Sequence, residues 1–203
     1  TDGVAQSDLS GTKVAMYNGM EVVAGKYELR TAAGALSGIN LDNSFTGLDS
    51  SRRGRVRYDS PSLNNFTFSA AYGKDILSTN NNDTYVDAAV RYKNEIGDTK
   101  IVGSLGFARR TRGDTDRDDT FGSVSALHSS GANITLAAGS RKNDGQYGLI
   151  KVGYIGDWLP MGKTALAVDY YNGGDFVTDG SSSKSIGIGV VQKIDAANME
   201  AYL

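Results

Sequence analysis

The chain has 203 residues, including 26 glycines, two prolines, one histidine and no cysteine, and its formal net charge is −2. The lack of cysteine excludes disulfide bridges and thiolate metal sites. The near-neutral charge, without a basic stripe, argues against a nucleic-acid-binding protein. No stretch approaches the roughly 20 apolar residues of a transmembrane helix. After these exclusions, the composition predicts a glycine-rich protein made mainly of β-strands.

Residues 1–50 precede the first regular alternation in the sequence and carry an excess of acidic side chains. Acidic residues outnumber basic ones there by six to three. The acidic residues are Asp2, Asp8, Glu21, Glu28, Asp42 and Asp49, and the basic residues are Lys13, Lys26 and Arg30.

Residues 52–59, RRGRVRYD, place arginines at alternate positions. In a strand, Arg55 and Arg57 lie on one face while Val56 and Tyr58 lie on the other. A row of like charges cannot be buried without partners. The segment therefore predicts a strand with one aqueous face and one apolar face.

From residue 53 onward, runs with a period of two alternate with turn clusters. Most runs have about nine to eleven residues, longer than the usual strand and suited to a tilted strand that crosses a bilayer. Short turns alternate with longer polar loops, an asymmetry typical of transmembrane β-barrels. The predicted strands lie at 53–59, 65–73, 84–93, 99–109, 119–129, 132–140, 147–156, 163–172, 184–193 and 197–203, and the long loops at 74–83, 110–119, 141–146 and 172–184.

The two faces of these predicted strands differ in chemistry. One parity collects apolar, uncharged residues such as Phe68 and Val90, whereas the other carries Asp87, Arg91 and further polar side chains. A soluble sandwich also alternates, but aromatic residues bracket the apolar face here, as they do at lipid–water interfaces. The bracketing residues are Tyr58, Tyr92, Tyr154 and Trp158 towards the short turns, and Tyr72, Phe107 and Tyr170 towards the long loops.

Four segments of the sequence resemble the general bacterial porins of Gram-negative outer membranes. RVRYDSPSLNNFTFSAAYG (55–73) resembles their signature strand pair, and SDLSGTKVA (7–15), GGDFVTDG (173–180) and GVVQKIDAANMEAYL (189–203) resemble further stretches. The resemblance implies an all-β fold, an antiparallel up-and-down transmembrane β-barrel of about sixteen strands. It also implies a homotrimer in the outer membrane, surrounded by lipid and lipopolysaccharide, through which ions and small hydrophilic solutes diffuse passively. No cofactor, catalytic activity or nucleic-acid partner is expected.

By this resemblance, residues 1–203 form one partial barrel domain. Residues 1–50 correspond to a constriction loop folded into the lumen, and residues 51–203 to about ten of the strands. An open ten-stranded sheet would leave two bare edges that lipid cannot satisfy. We therefore expect the sequence to be part of a longer chain.

A loop that lies across the lumen would place its carboxylates opposite the arginines of the wall. Charges around a narrow aqueous gap set ion selectivity, and arginine suits the wall because it stays charged and is weakly hydrated. Solvated charges in a wide lumen would contribute little, and this alternative stays open for each residue. The predicted constriction residues are Arg52, Arg53, Arg55, Arg57, Glu21, Glu28, Asp42, Asp49, Asp87 and Arg91.

Two other functions stay open on the sequence alone. An outer-membrane adhesin or structural barrel would bind a partner through its long loops. A hydrolase built on a barrel would need the lone His128 beside a serine. The stretch DTDRDD (114–119) has part of the spacing of a calcium loop, but Asp119 occupies the position that requires glycine. A solvated outer loop is the interpretation we favour there.

Overall fold

The computed structural model describes residues 7–12, 27–46, 48, 54–75 and 82–202. A small hairpin, β1 (Glu28–Arg30) with β2 (Leu36–Asn40), is followed by the single turn of helix α1 (Leu41–Ser44). The main sheet consists of β3 (Gly54–Asp59), β4 (Phe66–Lys74), β5 (Thr84–Ile96), β6 (Thr99–Arg112), β7 (Thr115–His128), β8 (Ala132–Arg141), β9 (Gln146–Leu159), β10 (Gly162–Gly174), β11 (Ser182–Ile194) and β12 (Met199–Tyr202).

The ten strands of the main sheet form an antiparallel meander in which each strand pairs with its neighbours in sequence. This confirms the all-β fold and the ten predicted strands. Within the described residues the sheet is open, with β3 and β12 at its edges. Six strands have 13 or 14 residues, a length of roughly 45 Å at the usual rise per residue.

The predicted long loop at 110–119 is wrong. Strands β6 and β7 continue through it as far as Arg112 and Thr115, so that only Gly113 and Asp114 form the turn. Gly113 has φ +56°, and Gly97 has φ +57° in the other Gly-Asp turn of the sheet. Because a two-residue hairpin requires positive φ, glycine followed by aspartate is itself a hairpin signal. Charged residues flank this turn, and in the sequence they suit a solvated loop as well as the ends of two strands.

The loop predicted at 141–146 is also shorter than expected. Strand β8 includes Arg141 and β9 begins at Gln146, which leaves four connecting residues. The loop predicted at 172–184 is reduced to residues 175–181 by the extended ends of β10 and β11. Trp158 was predicted in a short turn, but it is the second-last residue of strand β9.

Burial in this sheet is inverted relative to a soluble protein. We call the face that carries Arg55, Lys151 and Asp169 the inner face, and the opposite face the outer face. On the inner face, the side chain of Lys151 is only 1 % exposed. On the outer face, Ile188 is 76 % exposed and Val152 is 48 % exposed. Because a contiguous apolar surface of this kind is unfavourable in water, the outer face requires an apolar environment.

Aromatic side chains pair on the outer face near the short turns. The rings of Tyr154 and Trp158 stack with their centroids 5.6 Å apart, and those of Phe66 and Tyr92 lie 4.9 Å apart. The structure thus brings together residues of the predicted short-turn belt. No helix in the described part of the chain is long and apolar enough to cross a membrane.

Candidate functional site: the inner face of the sheet

An ion-pair network covers the inner face of β3, β4 and β5. Arg55 Nη1 lies 2.5 Å from Asp87 Oδ2, and the Asp87 side chain is almost fully buried. Arg57 donates two hydrogen bonds to Asp59 through Nε, at 2.9 and 3.0 Å, and a third through Nη2 at 2.8 Å. Arg91 Nη2 lies 3.4 Å from the same Asp59 carboxylate. The register of the three strands brings four predicted constriction residues, Arg55, Arg57, Asp87 and Arg91, close together, with Asp59 as a partner that was not predicted.

The acidic residues predicted in the constriction loop are only partly within the described residues. Glu28 lies in β1, where its carboxylate accepts a hydrogen bond from the backbone of Gly38. Asp42 lies half-buried in the first turn of α1. The remaining predicted site residues, Glu21, Asp49, Arg52 and Arg53, lie outside the described residues.

Residues 7–12, which we call the strap, lie across the inner face from β6 to β11. Ser7 Oγ lies within hydrogen-bond distance of Ser104 on β6, at 3.1 Å, and of Ser123 on β7, at 2.8 Å. At the other end, Thr12 packs against Gly189 of β11. Small residues lie beneath parts of the strap, among them Ser104, Ser125 and Gly189, so that its backbone can approach the strands closely there.

Gly11 is required where the strap crosses β9 and β10. Its φ is +77°, a conformation that other L-residues rarely adopt. A Cβ atom there would also lie 3.0 Å from Ala165 Cβ and 3.2 Å from Ile155 Cδ1. Positive φ and close packing thus both favour glycine at this position.

Asp8 attaches the strap to the wall through a buried ion pair. Lys151 Nζ donates a hydrogen bond to Asp8 Oδ2 at 2.7 Å, and each side chain is 1 % exposed. Thr135 Oγ1 donates to Asp8 Oδ1 at 3.2 Å. Burial alone would raise the pKa of Asp8, but the Lys151 ammonium and the hydrogen bonds outweigh it, so the pKa lies below its ordinary value. Asp8 thus faces a lysine of β9 rather than the arginines predicted from the sequence.

A second contact to the inner face comes from residues 44–46 and Leu48. Leu48 is buried in an apolar cluster that includes Phe121, Tyr147 and Tyr171. The hydroxyl of Tyr171 donates a hydrogen bond to the Thr46 carbonyl at 3.0 Å. Two separate parts of the first fifty residues therefore contact the same wall.

Arginine and aspartate pairs occupy the inner face near the long loops. Asp83 accepts three hydrogen bonds from Arg112, at 2.9 to 3.1 Å. Asp119 accepts one from Arg141 Nε at 2.8 Å. In the calcium-like stretch 114–119, Asp114 thus lies in the turn, whereas Asp116, Asp118 and Asp119 are strand residues close to arginines. Among the described residues, no group of three or more His, Cys, Asp or Glu could hold a metal ion.

His128 lies at the turn between β7 and β8. Its Nδ1 accepts the backbone N–H of Ser130 at 3.1 Å and lies 2.8 Å from Ser130 Oγ. This nitrogen is therefore engaged in holding the turn, whereas a catalytic histidine would use its ring to activate the serine.

The sequence did not single out Lys151 or the strap. Alternation places Lys151 on the polar face, but its partner Asp8 precedes it by 143 residues. The small side chains of Ser104, Ser123 and Ser125 on the polar face could have indicated the contact, because small residues on a strand allow another segment of backbone to approach closely.

The sequence model of the Gram-negative porins matches residues 10–203, which include all ten strands of the main sheet and the end of the strap. No curated protein and no solved structure matches the chain. The outer membrane is the location that this family implies. On the extent of the match, together with the antiparallel meander, the chain belongs to the Gram-negative porin family.

Proposed function

We propose that this chain forms the wall of a water-filled channel for the passive diffusion of ions and small hydrophilic solutes. The main support for this proposal is the burial pattern of the sheet, which exposes apolar residues and buries charged ones. The outer face exposes residues such as Val56 and Ile188, which suit lipid, whereas the inner face carries paired charges and hydroxyls, which suit water. The proposed protein has no catalytic role and needs no cofactor.

Residues 1–50 are proposed to form the constriction loop of this channel. Support comes from two contacts with the inner face, one made by the strap at residues 7–12 and one by residues 44–46 with Leu48. The charges of Arg55, Arg57 and Arg91 are proposed to line the aqueous path beside them. Arg52, Arg53, Glu21, Glu28, Asp42 and Asp49 remain proposed members of the same constriction.

Assembly and surroundings follow from the family. Its members generally form trimers, and we propose a C3 homotrimer in which the rest of the outer face contacts outer-membrane lipid and lipopolysaccharide. An adhesin is the alternative, which would bind a partner through its loops; the connections at 113–114 and 142–145 are shorter than the sequence predicted.

Reconstitution of the full protein into lipid vesicles tests the channel. We expect uncharged sugars to enter at rates that fall with solute size and do not saturate with concentration. Planar bilayers should show discrete conductance steps in potassium chloride. Vesicles no more permeable than protein-free ones would contradict the proposal, and native mass analysis that found only monomers would contradict the trimer.

A further inference from the structure

Arg110 and Arg117 face each other on the inner face near the turn at Gly113 and Asp114. They are directly opposite residues in the β6–β7 register, and their side chains are 27 % and 35 % exposed. Like charges placed directly opposite each other destabilise a sheet. The arrangement therefore needs a compensating negative charge.

The neighbouring carboxylates are largely engaged by other arginines. Asp83 receives its hydrogen bonds from Arg112, and Arg110 Nε lies 3.8 Å from it. Asp119 accepts from Arg141, while Arg117 Nη2 lies 3.3 Å away. The Nε atoms of Arg110 and Arg117 are both buried without a hydrogen-bond partner in the described part of the chain.

We infer that Arg110 and Arg117 form a binding site for an oxyanion, a phosphate or carboxylate group that bridges the two guanidinium groups. A guanidinium group presents a planar fork of donors that matches two oxygens of such a group. A bridging anion would contact the exposed parts of the two side chains and offset the repulsion between their charges.

The inference rests on the proposed function for its biological role, because only a channel exposes this face to passing solutes. The site lies where β6 and β7 approach their two-residue turn, apart from the Arg57–Asp59 pair on β3. It would concentrate anionic solutes before the constriction, since fixed charge in a low-dielectric opening raises the local concentration of counter-ions.

Equilibrium binding of inorganic phosphate and of acetate to the full protein in detergent tests the site without requiring conduction. We expect saturable binding, tighter for phosphate because it carries more charge. Arg110→Gln with Arg117→Gln should weaken it about tenfold or more, the effect of losing one charge-assisted hydrogen bond. Arg110→Lys with Arg117→Lys should give an intermediate affinity, because the charge remains but the fork is lost.

Arg109→Gln is the matched control, because this neighbouring arginine pairs with Asp118 on the outer face. It should leave anion binding unchanged. Wild-type protein without saturable binding, or equal binding by the double glutamine variant, would overturn the site. Each single glutamine variant provides the same test should the double variant fail to fold.

A conductance measurement separates the site from the channel. Phosphate added to potassium chloride should reduce the current saturably in wild type and linearly in the glutamine variant. Absence of any current would contradict the channel alone, since phosphate binding in detergent would still report on the two arginines. Normal current without a saturable phosphate effect would contradict the role in permeation.

Discussion

Asp8 and Lys151, 143 residues apart in sequence, form an ion pair of 2.7 Å between the strap and the sheet. Both side chains are almost completely buried. Breaking a buried pair is costly because the remaining charge loses its partner without regaining water. We therefore expect this ion pair to contribute strongly to the attachment of the strap.

Removal of either partner should destabilise the protein. Asp8→Asn and Lys151→Met are each expected to lower the free energy of unfolding by about 3–5 kcal/mol. The double variant should lose less than the sum of the two losses, because it leaves no isolated charge. Unfolding by urea in detergent micelles measures all three variants.

The exposed pair of Lys193 and Glu200, 3.7 Å apart, provides the control for this cycle. Lys193→Met should change the free energy of unfolding by less than about 1 kcal/mol. Strictly additive losses at Asp8 and Lys151 would show that the two side chains do not interact as the structure indicates.

The strap contact should also depend on pH. The pKa of Asp8 is lower in the folded protein than in the unfolded chain, so its ionised form contributes stability above the unfolded value of about 3.9. That contribution is lost as the pH falls through the lower folded pKa. Lys151 from β9, Thr135 from β8 and Asp169 from β10 face this carboxylate or lie beside its partner.

Comparison of wild type with Asp8→Asn at a series of pH values isolates this effect. The stability difference between them should be constant above about pH 5 and should shrink in more acidic solution. A difference that stays the same down to the most acidic condition would show that Asp8 does not titrate between folded and unfolded states as described.

The sequence predicted the strands and their faces because an alternating pattern is local information. It did not predict the hairpin at Gly113 and Asp114, since their charged flanks suit a solvated loop as well as a strand end. The contacts of the strap could not be predicted for a different reason. Its contacts join Ser7 to Ser104 and Asp8 to Lys151, and nothing in short polar segments specifies which distant wall they contact.

The exposed apolar face should tolerate apolar substitutions but not charge. Val152→Arg and Ile188→Arg are each expected to impair folding into lipid, by about 2–4 kcal/mol if the site lies near the bilayer midplane. Val152→Leu and Ile188→Leu are the controls and should fold as wild type does. Folding yields in lipid vesicles measure the effect. Arginine variants that fold as efficiently as the leucine variants would mean that this face does not contact the hydrocarbon.

Selectivity should respond in opposite directions to the two members of the Arg57–Asp59 pair. Arg57→Ala removes positive charge from the inner face, whereas Asp59→Asn removes negative charge, and both side chains are partly exposed. Arg55 is less suitable for this test, because its loss would leave the buried Asp87 without the guanidinium that lies 2.5 Å away. The two substitutions at Arg57 and Asp59 therefore change charge with little expected loss of stability.

In a salt gradient, Arg57→Ala should move the zero-current potential towards the cation limit and Asp59→Asn towards the anion limit. Fixed charges act strongly in a narrow aqueous path with low-dielectric walls. Both shifts should shrink as the salt concentration rises from about 0.1 M to 1 M, because the screening length falls from about 10 Å to 3 Å. Shifts of the same sign, or none at low salt, would place this pair away from the narrow part of the ion path.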